Sequence, residues 1–318
     1  MQISLNEAIL KLQAGEVVAI PTETVYGLAA DATNDAALHQ IYAIKQRPAD
    51  NPLIVHIADI SQVADWANEF SPLAQKLAQA FWPGPFTLVL PAKSSVSHIV
   101  RANEPTVALR VPSHPLTLVL LQQSGLSLAA PSANKYTQLS PTTAAHVTMG
   151  LGDELAVLDG GACQVGIEST IVSVAGDDWQ LLRFGMITEA EIEQVAGKPA
   201  LKSTLPNQQN QPKVPGQHLL HYSPRTPLSV YQTRAELLAE SLKCQTQHIP
   251  HAALLFGAGA LPACEYLTLA NHANQAAEAL YGALHELDSL NVTRLLVEKP
   301  PATPEWLGVL DRVSRASH

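Results

Sequence analysis

Aromatic side chains are scarce in this chain, 5% of 318 residues, and charged ones are few at 15%. The first shortage, beside an abundance of Ala, Leu and Val, favours α/β layers over an aromatic-rich β-sandwich. The second, set against 47% hydrophobic residues, describes a folded chain with little bulk disorder. Cysteine is nearly missing: Cys163, Cys244 and Cys264 are odd in number and far apart. Neither a disulfide framework nor a paired-cysteine metal knuckle is indicated, and a reducing, cytoplasmic setting fits. No apolar run reaches the roughly 18 residues that a membrane-spanning helix needs. Glu7, Lys11 and Glu16 interrupt the first apolar pattern, so the N-terminal stretch does not read as a signal peptide. Basic residues are also in deficit, 19 against 28 acidic, for a formal charge of -9, and the imbalance lies entirely in the first 200 residues. Indiscriminate polyanion binding is disfavoured, so any phosphate contact must come from a few placed cations.

What is present begins with Ile20-Pro-Thr-Glu-Thr-Val-Tyr-Gly-Leu28. Val17 to Ile20 suits a buried strand, and Pro21 ends it by removing a backbone donor. Thr22, Glu23, Thr24 and Tyr26 crowd hydroxyls and a carboxylate into the turn, and Gly27 is expected to take a backbone conformation closed to other residues. Taken alone, this is a capped strand corner. A helix over 4–14 precedes it, with Ser4 as N-cap, Glu7 three residues on, and Gly15 closing it. A helix over 35–45 follows, ended by Pro48. Its exit carries Lys45 and Arg47, which by themselves only complement the helix dipole. His56 sits in the apolar run 53–57, where a buried structural histidine is the ordinary outcome. A helix over 71–81 runs through Trp82-Pro-Gly-Pro into another strand. The strand beginning at Thr106 delivers Arg110, whose charge must meet an anion or water. A strand over 126–130 runs into Pro131-Ser-Ala-Asn134, and Ser140 with Pro141 reads as the N-cap and N1 of a further helix. Gly166-Ile-Glu-Ser-Thr170 and Arg183 complete a series of strand ends bearing small, hydroxyl or cationic residues. Open α/β sheets gather ligands at such ends.

Residues 201–226 are rich in Pro, Gln and Asn and read as a linker. Beyond them a fresh alternation of strands and helices indicates a small, mostly parallel second domain over 227–318, after a first domain over 1–200. Several motifs carry little. Gly257-Ala-Gly259 lacks the third glycine of a dinucleotide fingerprint, no P-loop occurs, and Ser132 sits in no nucleophile elbow. His218 with His221, and His248 with His251, lack the extra ligands a zinc site needs.

Together, Pro21-Thr-Glu-Thr-Val-Tyr-Gly-Leu28, Lys45-Gln-Arg-Pro48 with Asn51-Pro-Leu53, Trp82-Pro-Gly-Pro85, Ala130-Pro-Ser-Ala-Asn134 with Ser140-Pro-Thr142, Gly166-Ile-Glu-Ser-Thr170 and His221-Tyr-Ser-Pro224 resemble the long, two-domain form of the YrdC-like threonylcarbamoyl-AMP synthase family. The ordered set spans nearly the whole chain. The resemblance implies an open, twisted, mixed α/β sheet with helices, followed by a smaller Rossmann-like parallel α/β domain. It implies conversion of L-threonine, bicarbonate and ATP, with Mg2+, into threonylcarbamoyl-AMP and pyrophosphate. The product would feed a transferase machinery that modifies the adenosine beside the tRNA anticodon. Thr24, His56, Arg110, the backbone at Ala130 and Thr170 would hold threonine, with Arg110 forking its carboxylate. Arg47, Asn51, Thr106, Ser132, Ser140 and Arg183 would line ATP, with Lys45 and Arg47 assisting catalysis and Tyr222, carried back by the linker, closing over the nucleotide. No resident metal site is implied. Lys135-Tyr136 after Asn134 and Gln217-His218-Leu219 after Gly216 depart from the usual pattern.

Such chemistry needs no protein nucleophile. A carbamate formed from the threonine amine attacks the α-phosphorus, and positioning with charge stabilisation suffices, which suits a site without a triad. Two other readings remain from the sequence: a module that binds RNA directly, with tRNA contact weak at this net charge, and a sensor that binds threonine or nucleotide without turnover.

Overall fold

A computed structural model describes residues 1–201, 212–216 and 221–317. The first strands are β1 (Gln2–Ile3), β2 (Val18–Ile20), β3 (Gly27–Asp31), β4 (Ile54–His56) and β5 (Phe86–Pro91). They continue with β6 (Thr106–Arg110), β7 (Leu128–Ala129), β8 (Val157–Leu158), β9 (Thr170–Ala175) and β10 (Asp178–Arg183). These ten form one sheet in the order β1-β8-β2-β3-β7-β4-β6-β5-β9-β10. It is mixed: β4 pairs parallel with β6 and β5 with β9, while β3 and β7, β5 and β6, and β9 and β10 are antiparallel. Four further strands, β11 (Leu228–Tyr231), β12 (His251–Phe256), β13 (Glu265–Leu269) and β14 (Arg294–Glu298), form a wholly parallel sheet ordered β11-β14-β12-β13. The mixed sheet and the smaller parallel one match the architecture implied by the sequence motifs.

Local rules account for many boundaries. The helix Leu5–Gln13 starts at the Ser4–Glu7 capping box, and the helix Asp35–Lys45 stops at Gln46 in the left-handed region, two residues before Pro48. One expectation is overturned. No helix begins at Ser140; the helix spans Ala144–Leu151, capped by Thr143, whose hydroxyl accepts from the His146 amide at 3.2 Å. Ser140 is unavailable as a cap because its hydroxyl donates to Glu168, while the Pro141 carbonyl accepts from the Tyr26 amide at 2.8 Å.

Side-chain alternation splits the central strands between two environments. Val55, Leu88, Leu109 and Val172 join the main core beneath the helices, whereas Ile54, Val89, Ala108 and Ile171 form a smaller cluster with Val214 on the opposite face. His56 and Arg110 follow the same alternation onto that second face, as direct register partners at the ends of β4 and β6.

The second core joins the domains: Val25, Leu139 and Ile167 pack with Leu254, Leu280, Tyr281 and Val309. Of the expected linker, residues 202–211 and 217–220 lie outside the described residues. The remainder touches both domains, since the Ser223 amide donates to the Thr137 carbonyl and the His221 amide to the Arg315 carbonyl. Among the described residues no helix is long and apolar enough to cross a membrane.

Candidate active site

The turn after β2 is built by Thr22. Its hydroxyl accepts from the amides of Thr24 and Val25, both at 3.2 Å, and donates to the Val25 carbonyl at 2.6 Å. With that proton committed, the 2.8 Å contact between the two threonine hydroxyls runs from Thr24 to Thr22, and Thr24 accepts from Arg110 Nη1 at 2.9 Å. The Tyr26 hydroxyl is spent on the Gly161 carbonyl at 2.7 Å. Gly27 has no left-handed backbone, contrary to expectation. A Cβ there would stand 3.1 Å from the Ala130 Cβ, so close approach of the two chains is what requires glycine.

Arg110 is buried and uses three of its five N–H groups: beside the Thr24 bond, Nη2 pairs with Glu23 at 2.6 Å, and Nε donates to the Gly84 carbonyl at 3.2 Å. One N–H on each terminal nitrogen is left for a carboxylate fork facing the cavity. Beside it His56 is buried with no partner on Nδ1, and burial together with the Arg110 charge pushes its pKa down to about 3, so the ring is neutral. The two cations at the helix exit differ. Lys45 Nζ donates to the carbonyls of Ser132 and Asn134, the latter at 2.6 Å, and holds the 132–134 loop from behind. Arg47 lines the cavity with one bond to the Pro52 carbonyl at 3.0 Å and a buried Nε without an acceptor. Burial depresses both pKa values, and their mutual repulsion depresses that of Lys45 further. Arg183 spreads its donors over the Ser169 and Pro215 carbonyls. Among the described residues none of Lys45, Arg47 and Arg183 has an ion-pair partner.

Glu168 is the second carboxylate of the site. Burial alone would raise its pKa, but Arg312, Arg183 and the Ser140 hydroxyl bring it down to about 2. Lys45, Arg47, Arg110, Arg183 and Arg312 therefore converge around two carboxylates, Glu23 and Glu168, inside a chain of net charge -9. A buried excess of positive charge is costly unless an anion comes to meet it.

The cavity among these groups has a volume of about 50 Å³, room for a few water molecules. Pro215, Gly216, His221 and Tyr222 form part of its wall, and Tyr222 is wholly buried with φ of 61°. Thr24, Arg47, His56, Arg110, Ala130 and Ser132 line it, as do Arg183 and Tyr222. The other expected residues do not. Lys45, Ser140 and Thr170 stand behind the wall, with the Thr170 hydroxyl given to the Ile187 carbonyl at 2.9 Å. Asn51 is buried outside the lining, where its carbonyl accepts from Tyr42. Thr106 starts β6, about 13 Å along the strand from Arg110.

Two family models divide the chain. One, described as telomere recombination and covering Sua5, YciO and YrdC, matches residues 11–185; the other, described as the threonylcarbamoyl-AMP synthase C-terminal domain, matches residues 187–318. The chain belongs to the Sua5/YciO/YrdC family. A relative from Bacillus subtilis (strain 168) named threonylcarbamoyl-AMP synthase is 40% identical, covering 98% of this chain and 92% of its own. A relative of the same name from Pyrococcus abyssi is 35% identical, covering 96% and 92%. The crystal structure of P. abyssi Sua5 complexed with L-threonine matches with a TM-score of 0.91 at 33% identity, covering 100% of this chain and 96% of that one. Family motifs contain Glu168 and His221, both of which line the cavity although neither was assigned a role in the site from sequence. His221 is neutral like His56, its pKa pushed down to about 3 chiefly by burial. Arg312 lies in none of the motifs, yet one signal was present. It shares a helical face with Val309, Val313 and Ala316, an arginine on an apolar stripe. Among the rejected motifs, His251 is engaged by Ser241 Oγ and the Ile249 carbonyl, and Arg234 bonds the carbonyls of Phe256 and Gly257 at the glycine turn. His218 lies outside the described residues.

Proposed function

We propose that this protein is a threonylcarbamoyl-AMP synthase, forming threonylcarbamoyl-AMP and pyrophosphate from L-threonine, bicarbonate and ATP. The observation that carries this reading is the buried cavity in which Arg110, already balanced by Glu23, shares walls with Arg47 and Arg183, neither of which has an ion-pair partner among the described residues. The balanced arginine suits a small zwitterion; the unbalanced pair suits a polyphosphate.

Threonine sits on the wall of Thr24, His56, Arg110 and the Ala130 backbone, its carboxylate on the free N–H groups of Arg110. Neutral His56 accepts a hydrogen bond there without repelling the ammonium. Arg47, Arg183 and Ser132 take the phosphates and oppose the charge that grows as pyrophosphate leaves. Lys45, Ser140 and Thr170 act from behind, holding the Ser132 loop, Glu168 and the β9 entry. Asn51 stays near the phosphates beside Arg47, and Thr106 takes no part in this assignment. A cavity of about 50 Å³ does not hold ATP, so the nucleotide displaces Tyr222 from the wall on entry and Tyr222 closes over it afterwards. Mg2+ arrives as MgATP, a part of the substrate: the two carboxylates here are committed to Arg110 and Arg312, and among the described residues no cluster of three His, Cys, Asp or Glu is present to hold a resident ion.

The product passes to a transferase that acts on tRNA in the cytoplasm. Direct RNA binding is the less favoured reading at a net charge of -9, and the cations that converge on the cavity are buried. Pyrophosphate release with MgATP, measured with threonine and bicarbonate omitted in turn, tests the reading. Release that needs both supports it, and release indifferent to either refutes it.

A further inference from the structure

Arg312 is a charged side chain that the second domain drives into the first. It lies on the last helix, Leu307–Ala316, and is only 1% exposed. Its Nε donates to Glu168 Oε2 at 2.6 Å, its Nη2 to the Glu168 carbonyl at 3.4 Å, and its Nη1 to Asp311 at 2.7 Å. The guanidinium stands 4.9 Å from the centre of the Tyr222 ring. Tyr281, from the helix Ala273–Ser289, adds its hydroxyl to the same carboxylate at 3.2 Å. Glu168 and Tyr222 both line the cavity, whereas Arg312 does not reach it.

Backbone fit brings the helix close enough. A Cβ at Gly308 would lie 2.6 Å from the Gly185 carbonyl oxygen and 2.9 Å from Ile167 Cδ1, so only glycine lets the last helix meet this corner. The corner is then gripped from two sides: Arg183 of β10 holds the Ser169 carbonyl, and Arg312 holds Glu168. A domain docked for stability alone is served by apolar contacts, which Ile167, Val309 and Tyr281 already supply. A fully buried ion pair adds little net stability over apolar packing but fixes geometry.

We propose that Arg312 is a positioning residue for the adenylate-forming reaction, through which the C-terminal domain completes the nucleotide wall by orienting Glu168 and seating Tyr222. This rests on reading the cavity as the ATP site. Loss of the guanidinium leaves Glu168 without its closest counter-charge and Tyr222 without its cation. The opposite wall, Thr24 and Arg110 held by Glu23 and the Gly84 carbonyl, is unaffected.

The test compares the full-length protein with Arg312→Lys, which keeps the charge and loses the planar fork. A double variant, Arg312→Met with Glu168→Gln, removes both charges of the pair, so neither partner is left facing an empty place. Arg312→Lys is expected to raise the KM for ATP about tenfold, with threonine KM within twofold and melting temperature nearly unchanged. The double variant is expected to lose about 100-fold in kcat/KM for ATP while remaining folded. An unchanged ATP KM in Arg312→Lys overturns the proposal. So does an equal rise in ATP and threonine KM accompanied by a lower melting temperature, which marks a merely structural contact. Calorimetric titration with MgATP separates the two claims. A wild type that binds ATP but releases no pyrophosphate refutes the activity, and the ratio of ATP affinities between wild type and Arg312→Lys still decides the role of Arg312.

Discussion

Arg47 and Arg110 are buried arginines in one cavity, and their replacement by methionine is expected to move stability in opposite directions. Arg110 has Glu23 at 2.6 Å, Thr24 at 2.9 Å and Gly84 at 3.2 Å. Removing its charge leaves the Glu23 carboxylate buried without a partner, a loss of about 3–5 kcal/mol. Arg47 has one carbonyl partner, an Nε with none, and like charges from Lys45 and Arg183 nearby. Arg47→Met removes the desolvation cost of an uncompensated ion and keeps most of the packing volume. The lost bond to Pro52 subtracts about 1 kcal/mol, against a gain of about 1–4 kcal/mol when buried charge becomes apolar contact. The ligand-free variant is therefore expected to be as stable as wild type or more so by up to about 3 kcal/mol, while pyrophosphate release collapses. Scanning calorimetry without ligand reads the first effect, at about 2–4 °C of melting temperature per kcal/mol. MgATP at 100 times its Kd adds about 2.7 kcal/mol to wild type, and this increment is expected to vanish in Arg47→Met. A melting temperature that falls in Arg47→Met as it does in Arg110→Met refutes the reasoning, because the Arg47 charge would then belong to the resting fold and not to an incoming phosphate.

Gly166→Ala is expected to cost about 3 kcal/mol or more, combining a left-handed φ of 80° with a collision against the Ala277 carbonyl. Gly176→Ala, with φ of 57° and open space around it, is expected to cost only about 1–2 kcal/mol, and equal losses in urea denaturation would contradict the close interdomain packing. Acid is expected to destabilise the fold from pH 6.5 downward, above the carboxylate range. His56 and His221 stay neutral until about pH 3 when folded but take up protons near 6.5 when unfolded, so the unfolded state binds more protons throughout that window. By pH 5 this removes about 2 kcal/mol for each histidine, checked by denaturation at pH 7.5 and 5; His56→Gln is expected to flatten the profile. Glu168, held at about 2, adds a further loss in the same direction below pH 4.5.

Local chemistry was legible where a residue acts on its neighbours. Ser4 with Glu7 caps the first helix through a contact three residues long. The same reasoning failed at Ser140, because its hydroxyl is taken by Glu168, 28 residues away, and at Gly27, whose constraint comes from Ala130 on another strand. It could rank Lys45 and Arg47 only as equals. The fold turns one to the backbone of the 132–134 loop and the other to the cavity. Thr106, which the resemblance placed along ATP, lies outside the lining of the ligand-free cavity at the far end of β6 from Arg110.

The sequence by itself determined the family, the α/β class, most element boundaries and the inventory of hydroxyls and cations, since these follow from local propensity and from motifs kept in order. Tertiary structure alone decided which cations have partners, which hydroxyls are spent within the fold, and that the second domain reaches the site through Arg312. The physical reason is that burial and pairing set the worth of a charge, and both are properties of groups brought together from distant parts of the chain. Thr24 illustrates both: its place in the turn is written in the sequence, but the donor that its oxygen accepts from is Arg110 of β6.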